Sequence, residues 1–159
     1  MLKLDNELFE KLLFEAESSP RKRAHYNIHQ DFSEPVQRLC IALIRGTYVR
    51  PHCHVDAKSW EMIMALKGAA AILIFDASGC VKERITLSPF MKSVGVELTP
   101  NTWHMVYPTE PEAVIFEVKE GPFSPSKKCD FAPWSPEEDS SEAQVFLDWA
   151  INASIGDKY

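Results

Sequence analysis

His52 and His54 stand one residue apart in the stretch Gly46-Thr-Tyr-Val-Arg-Pro-His52-Cys-His54, and Glu61 and Gly68 follow downstream. In an extended chain alternate side chains share a face, so the two imidazoles point together while Cys53 points away. Glu61 on the next strand adds a carboxylate, and His104, in Pro100-Asn-Thr-Trp-His104, sits where a later strand can bring it to the same point. Such a mixed nitrogen and oxygen set suits Fe, Mn, Co, Ni or Zn better than Ca or Mg. The expectation is one divalent transition metal held by His52, His54, Glu61 and His104. Only a fold that draws distant strands around a common centre can do this.

The remaining pattern agrees with a mainly β chain closed by helices. Residues 5–18 read as an amphipathic helix, with Asp5 as its cap and Leu8, Phe9, Leu12, Leu13 and Ala16 as its apolar stripe. Residues 39–44, 60–66, 69–75 and 113–118 are β-rich, and Asp76-Ala-Ser-Gly79 is a tight-turn sequence between two of them. Several of these strands are apolar on both faces, so the outer face needs cover from the terminal helices or from a second subunit. A homodimer is therefore expected. After Glu120 the chain turns Pro- and Ser-rich, through Ser124-Pro-Ser and Ala132-Pro-Trp-Ser-Pro136, and reads as an ordered arm lying over the domain. Ser140 or Ser141 then opens a last helix with Val145, Phe146, Trp149 and Ala150 on one face. The expected division is an N-terminal helix at 1–20, a β-barrel at 21–121 and a C-terminal arm and helix at 122–159, one structural domain overall.

The spacing from Gly46 through His52, His54 and Glu61 to Gly68 resembles the first motif of the cupin superfamily, with a longer loop between His54 and Glu61. Gly95, Pro100 and His104 fall where the second motif has its glycine, proline and histidine, although Thr102 and Pro108 depart from it. A closer resemblance lies in His25-Tyr-Asn27-Ile-His29, Arg38-Leu39, the Gly46 to His52 stretch, Gly121-Pro-Phe and Ala132-Pro-Trp134-Ser-Pro-Glu. These segments look like the WbuC-type cupin-fold metalloproteins, often encoded among bacterial surface-polysaccharide (O-antigen) genes, and the likeness covers nearly the whole chain. The resemblance implies a single cupin (double-stranded β-helix, or jelly-roll) barrel that binds metal.

Composition narrows the partners. The chain has 159 residues and a formal net charge of −6, which disfavours nucleic acid or an anionic membrane as the main partner. No apolar run approaches the roughly 20 residues that span a bilayer, and the first residues lack a signal-peptide pattern, so cytoplasmic residence is expected. The cysteines at 40, 53, 80 and 129 form no C-x-x-C pair and suit a reducing compartment. The partner left is a small-molecule ligand.

Three imidazoles and one carboxylate leave a six-coordinate ion about two positions for water or substrate oxygens, which favours hydroxyketones, diols, keto acids or sugars. A zinc ion with four protein ligands is instead a closed, structural site. Residues 21–30 alternate, with Arg21, Arg23, His25, Asn27 and His29 on one parity. This row is either a solvated edge or a binding wall for an anionic or polyhydroxyl ligand, to which His25, Asn27, His29 and Arg50 would contribute. Tyr48 and Arg50 share the parity of the two histidines and, with Lys58 in the loop before Glu61, are candidates for proton transfer. Three function classes follow. The first is a metal-dependent isomerase or epimerase acting on a sugar, sugar phosphate or nucleotide sugar. The others are an Fe(II)-dependent dioxygenase and a non-catalytic small-molecule or metal-binding cupin.

Overall fold

The computed structural model describes residues 1–55, 60–123 and 131–159. Its elements run α1 (Asn6–Ser18), β1 (Arg23–Asn27), β2 (Val36–Ile44), β3 (Glu61–Phe75), β4 (Val81–Leu87), β5 (Gly95–Leu98), β6 (Trp103–Glu120) and α2 (Glu142–Asn152). The strands form one antiparallel six-stranded sheet in the order β1-β2-β6-β3-β4, with β5 also paired to β3. This is the mainly β barrel with a helix at either end that the sequence calls for.

Two long strands make the barrel. β3 and β6 pair along their whole lengths, from Glu61↔Lys119 to Phe75↔Trp103, and the register slips at Ala65/Lys67 and again at Gly68/Ala70. Such irregularities bend a strand and increase its twist. Gly68 sits at the bend with φ +66°, and a Cβ there would collide with the Glu112 carbonyl oxygen. The sequence reads this region as separate pieces, 60–66 and 69–75, because the glycine interrupts the alternation; the structure joins them.

The inward positions of β2, β3 and β6 give an apolar lining that includes Leu39, Ile41, Leu43, Ile63, Val106 and Ile115. Both helices cover the outer face. α1, capped by Asp5 accepting from the Leu8 N–H at 3.2 Å, packs Phe9, Leu12, Leu13 and Ala16 against Cys40, Ala42 and Val114. α2 buries Ala143, Phe146, Leu147 and Ala150 against Leu73, Phe75, Met105 and Tyr107. One detail of the expected stripe is corrected: Val145 is 59% exposed, and Leu147 takes its place in the core. Helical spacing puts 143, 146, 147 and 150 on one side, and 145 lies off it.

The Asp76 turn is built as expected, with Asp76 Oδ1 accepting from the N–H groups of Ser78 at 2.9 Å and Cys80 at 3.1 Å. The described part of the C-terminal arm is ordered over the domain. Trp134 packs on Phe75 with ring centroids 4.9 Å apart and covers Gly79, where a Cβ would meet its indole. Ser124-Pro-Ser and Cys129 lie outside the described residues. No helix among the described residues is long and apolar enough to cross a membrane.

Candidate metal centre

The segment carrying His52 and His54 is extended but is not a full strand. Gly46, at φ +91°, turns the chain out of β2. His52 then pairs with His104: its N–H donates to His104 O at 3.0 Å, and its carbonyl oxygen accepts from the His104 N–H at 2.9 Å. That two-bond bridge is what draws the first histidine motif to the start of β6. Asn101, in the left-handed region at φ 63°, turns the chain ahead of His104 and donates its N–H to His54 O at 2.8 Å. Asparagine tolerates that conformation better than most residues.

The four expected ligands converge. One donor atom from each of His52, His54, Glu61 and His104 lies within 4.8 Å of the others. Glu61 Oε2 is 3.1 Å from His104 Nε2 and 3.6 Å from His54 Nε2. Cys53, between the two histidines in sequence, is buried and stands outside this group.

Hydrogen bonding prepares the nitrogens. His52 Nδ1 lies 3.0 Å from Arg50 O, and His104 Nδ1 lies 2.9 Å from Thr102 O. A carbonyl oxygen only accepts, so each Nδ1 carries the hydrogen and each Nε2 presents its lone pair to the shared centre. A lone pair on His104 Nε2 and a carboxylate oxygen 3.1 Å away repel unless a cation lies between them. A proton on one nitrogen would serve one such pair. A divalent cation serves all four donors together, and the residues present therefore fit a transition-metal ion.

Burial and neighbours set the charges. Burial alone would raise Glu61, but the neighbouring His104 and His54 imidazoles and the Lys119 ammonium hold it well below the usual carboxylate range. Burial pushes His52 down to about 3, keeping the imidazole neutral, as a metal ligand must be. On β6, Glu117 is raised to about 7 by burial and by the Glu61 charge. Burial works to lower Lys119, yet Glu117 and Glu61 outweigh it and hold the ammonium above its usual range. Lys119 Nζ lies 2.6 Å from Glu117 Oε1 and 3.8 Å from Glu61 Oε1, so it ties the carboxylate ligand to the opposite strand.

The centre opens on a cavity of about 490 Å³ inside the barrel. The parity row Arg21, Arg23, His25, Asn27 and His29 forms one wall, and Arg50 also reaches the cavity. Four cations and three carboxylates line the cavity among the described residues, so its wall carries one excess positive charge before any ion is bound.

Several candidates move in role. The Tyr48 hydroxyl donates to Pro136 O at 3.0 Å, the ring packs on Phe146, and the residue is not among those lining the cavity. Tyr48 therefore anchors the arm instead of serving the centre, because the chain leaves β2 by a turn at 45–46 and residues 47–51 are not a strand that would keep parity. Arg50 reaches the cavity, but its guanidinium donates to Ser135 Oγ at 3.2 Å and Ser135 O at 3.1 Å and so also holds the arm. Arg23 and Arg21 share Glu138, at 2.6 Å and 2.9 Å. Lys58 lies outside the described residues. Glu117, Lys119, Gln37 and Glu138 escaped the sequence reading. The alternation of Glu117 and Lys119 around Val118 was visible, but nothing local said that this face looks inward.

A family model described as a domain of unknown function (DUF6016) matches residues 4–87. The chain belongs to the DUF6016 family. The match takes in three of the four ligands of this DUF6016 chain and stops short of His104. No curated protein matches it. Among solved structures, TT1209 from Thermus thermophilus is similar at 20% identity and a TM-score of 0.54, over 75% of this chain and 97% of that one. KdgF from Halomonas sp. matches at 18% identity and a TM-score of 0.51, over 67% and 85%. Salicylate 1,2-dioxygenase from Pseudoaminobacter salicylatoxidans matches at 15% identity and a TM-score of 0.55, over 74% of the DUF6016 chain and 33% of its own length. These likenesses show a shared fold.

Proposed function

We propose that this chain is a metal-dependent enzyme that takes a small, oxygen-rich substrate inside the barrel and carries out isomerase- or epimerase-type proton transfer. The observation that carries the reading is the convergence of His52, His54, Glu61 and His104, two of them with Nδ1 held by backbone carbonyls, at the wall of an open cavity. A closed structural site would have no use for that space, and the barrel has an apolar core without it.

A divalent ion held there supplies a Lewis acid to a substrate carbonyl or hydroxyl oxygen. The chain's own groups do the rest. Lys119 Nζ and Glu117 Oε1, 2.6 Å apart, place a proton donor and an acceptor beside Glu61. The excess positive charge of the wall favours an anionic substrate. The apolar inner face of β2 lines the cavity beside the reacting atoms. A sugar, sugar phosphate or nucleotide sugar of surface-polysaccharide metabolism is supported by the WbuC-type resemblance and by the polar row of β1.

A second reading, an Fe(II)-dependent dioxygenase, is favoured by the apolar part of the same wall and by the salicylate 1,2-dioxygenase that shares the fold. The experiment is elemental analysis of protein purified without added metal, followed by incubation in D₂O with hydroxycarbonyl sugars and sugar phosphates. Deuterium entering the carbon next to the carbonyl supports the isomerase. Iron with substrate-dependent oxygen uptake supports the dioxygenase. Protein that binds no transition metal overturns both.

A further inference from the structure

Glu61 pairs with Lys119 across β3 and β6, and Lys119 pairs with Gln37 across β6 and β2. Beyond Asn27, which pairs with Leu39, the chain stays against β2, and the His29 N–H donates to Arg38 O at 3.3 Å. A single polar row thus leaves the metal ligand and crosses the inner wall through Lys119 and Gln37 to His29.

Two atoms at its far end lack partners. Gln37 is 1% exposed and His29 is 6% exposed, both line the cavity, and Gln37 Oε1 and His29 Nε2 are buried without a hydrogen bond among the described residues. The far end of each side chain bears on its chemistry. The Gln37 amide nitrogen donates to Glu34 O at 2.9 Å and Phe32 O at 3.2 Å, so the oxygen is the end left over. The Arg38 N–H donates to His29 Nδ1 at 3.1 Å, while Arg38 O already accepts from Ile28 at 2.8 Å. His29 Nδ1 also lies 3.0 Å from Arg38 O, so the ring's tautomer sets whether Nε2 donates or accepts. The row ends in an amide oxygen that accepts and an imidazole nitrogen that donates or accepts, both unsatisfied, and burying such groups without partners is costly.

We propose that Gln37 and His29 form a second ligand subsite, one that recognises hydroxyl groups of a ligand already chelated at the metal centre. Hydroxyls donate to Gln37 Oε1 and either donate to or accept from His29 Nε2, whereas an ionised carboxylate or an alkyl chain has no hydrogen to give Gln37 Oε1. Two strand spacings separate Gln37 from Glu61, about 10 Å, so the ligand is longer than a bare two-carbon chelator. The substrate class is a polyhydroxylated chain or ring with two adjacent chelating oxygens at one end. This assignment rests on the metal-centre reading and deepens it.

Isothermal titration of nickel-loaded protein with three 2-hydroxy acids tests it. Glycolate offers the chelating head alone, gluconate adds hydroxyls along a six-carbon chain, and 2-hydroxyhexanoate has the same chain without them. Gluconate is expected to bind at least about tenfold more tightly than 2-hydroxyhexanoate, the discrimination of a hydrogen-bonding site against an analogue lacking the hydroxyl. In His29→Phe and Gln37→Leu that preference should disappear while affinity for nickel and glycolate stays. Where Gln37→Leu fails to fold, the wild-type comparison and His29→Phe decide. Equal or tighter binding of 2-hydroxyhexanoate, or a preference that survives both substitutions, overturns the subsite and leaves the metal centre standing. Loss of nickel or glycolate binding by the wild-type protein overturns the metal centre, and the subsite with it.

Discussion

Two walls of one cavity use the same residue types to different ends. At the metal centre, His52, His54 and His104 bring their rings within 4.4 to 6.0 Å of one another and meet at one carboxylate. Along β1, His25 and Asn27 are spread down one strand, with inward neighbours two residues and about 7 Å apart. The first arrangement comes from three separate segments crossing, and the second from one strand running straight. Histidines on a single strand can line a wall. The pair His52 and His54 reaches a common point only because a second segment brings His104 and a third brings Glu61 to meet it.

Removing a member of the converging set should have the largest effect. His104→Ala is expected to lower metal affinity more than about 100-fold, since loss of a mere hydrogen-bonding partner to a ligand already costs about 10–100-fold. Competition titration with a chromophoric chelator measures it, and circular dichroism should show an intact β-fold. His25→Ala is the matched control on the other wall, and there metal affinity should stay within about twofold. An equal loss in the two variants would erase the distinction between chelating and lining histidines.

The β1 wall should show itself in stability instead. Glu138 pairs with Arg23, whose side chain is 5% exposed and whose other Nη donates to Tyr48 O at 2.8 Å. Glu138→Gln leaves that guanidinium buried with a weaker partner and should cost about 1–3 kcal/mol in urea unfolding, with metal affinity unchanged.

The smallest effect is one of pH. Loss of water around His25, together with the nearby Arg23, Arg21 and Lys119, pushes its imidazole down from 6.5 to about 4. Between those values the unfolded chain binds the proton and the folded one does not, so stability falls as pH drops from about 6.5 to about 4. His25 opens on a water-reached cavity, which makes the slope shallow. His25→Gln should flatten that part of the stability profile, and an unchanged slope would show that the group does not titrate as its surroundings demand.

Comparison of the elements shows where local pattern sufficed. The α1 stripe, the Asp5 cap and the Asp76 turn are each decided within a few residues, and the structure builds them as read. β6 was legible only at 113–118, because Pro108 and Pro111 break its pattern; it nevertheless runs for 18 residues, since partners on β2 and β3 supply its pairing. Tyr48 was misplaced for the converse reason. Its parity with His52 holds only if the chain between them is a strand, and residues 48–51 are not one.

By itself, then, the sequence determined the chelating set, because His-x-His fixes two donors by backbone geometry alone and the choice of Glu61 and His104 follows from motif spacing. The tertiary structure decided everything that depends on register. The row from Glu61 through Lys119 and Gln37 to His29, the Glu138 clamp on Arg23 and the arm held by Arg50 join residues far apart in the chain. Strand pairing brings such residues together by a register set over the whole barrel, so no local run of letters records which of them will be neighbours.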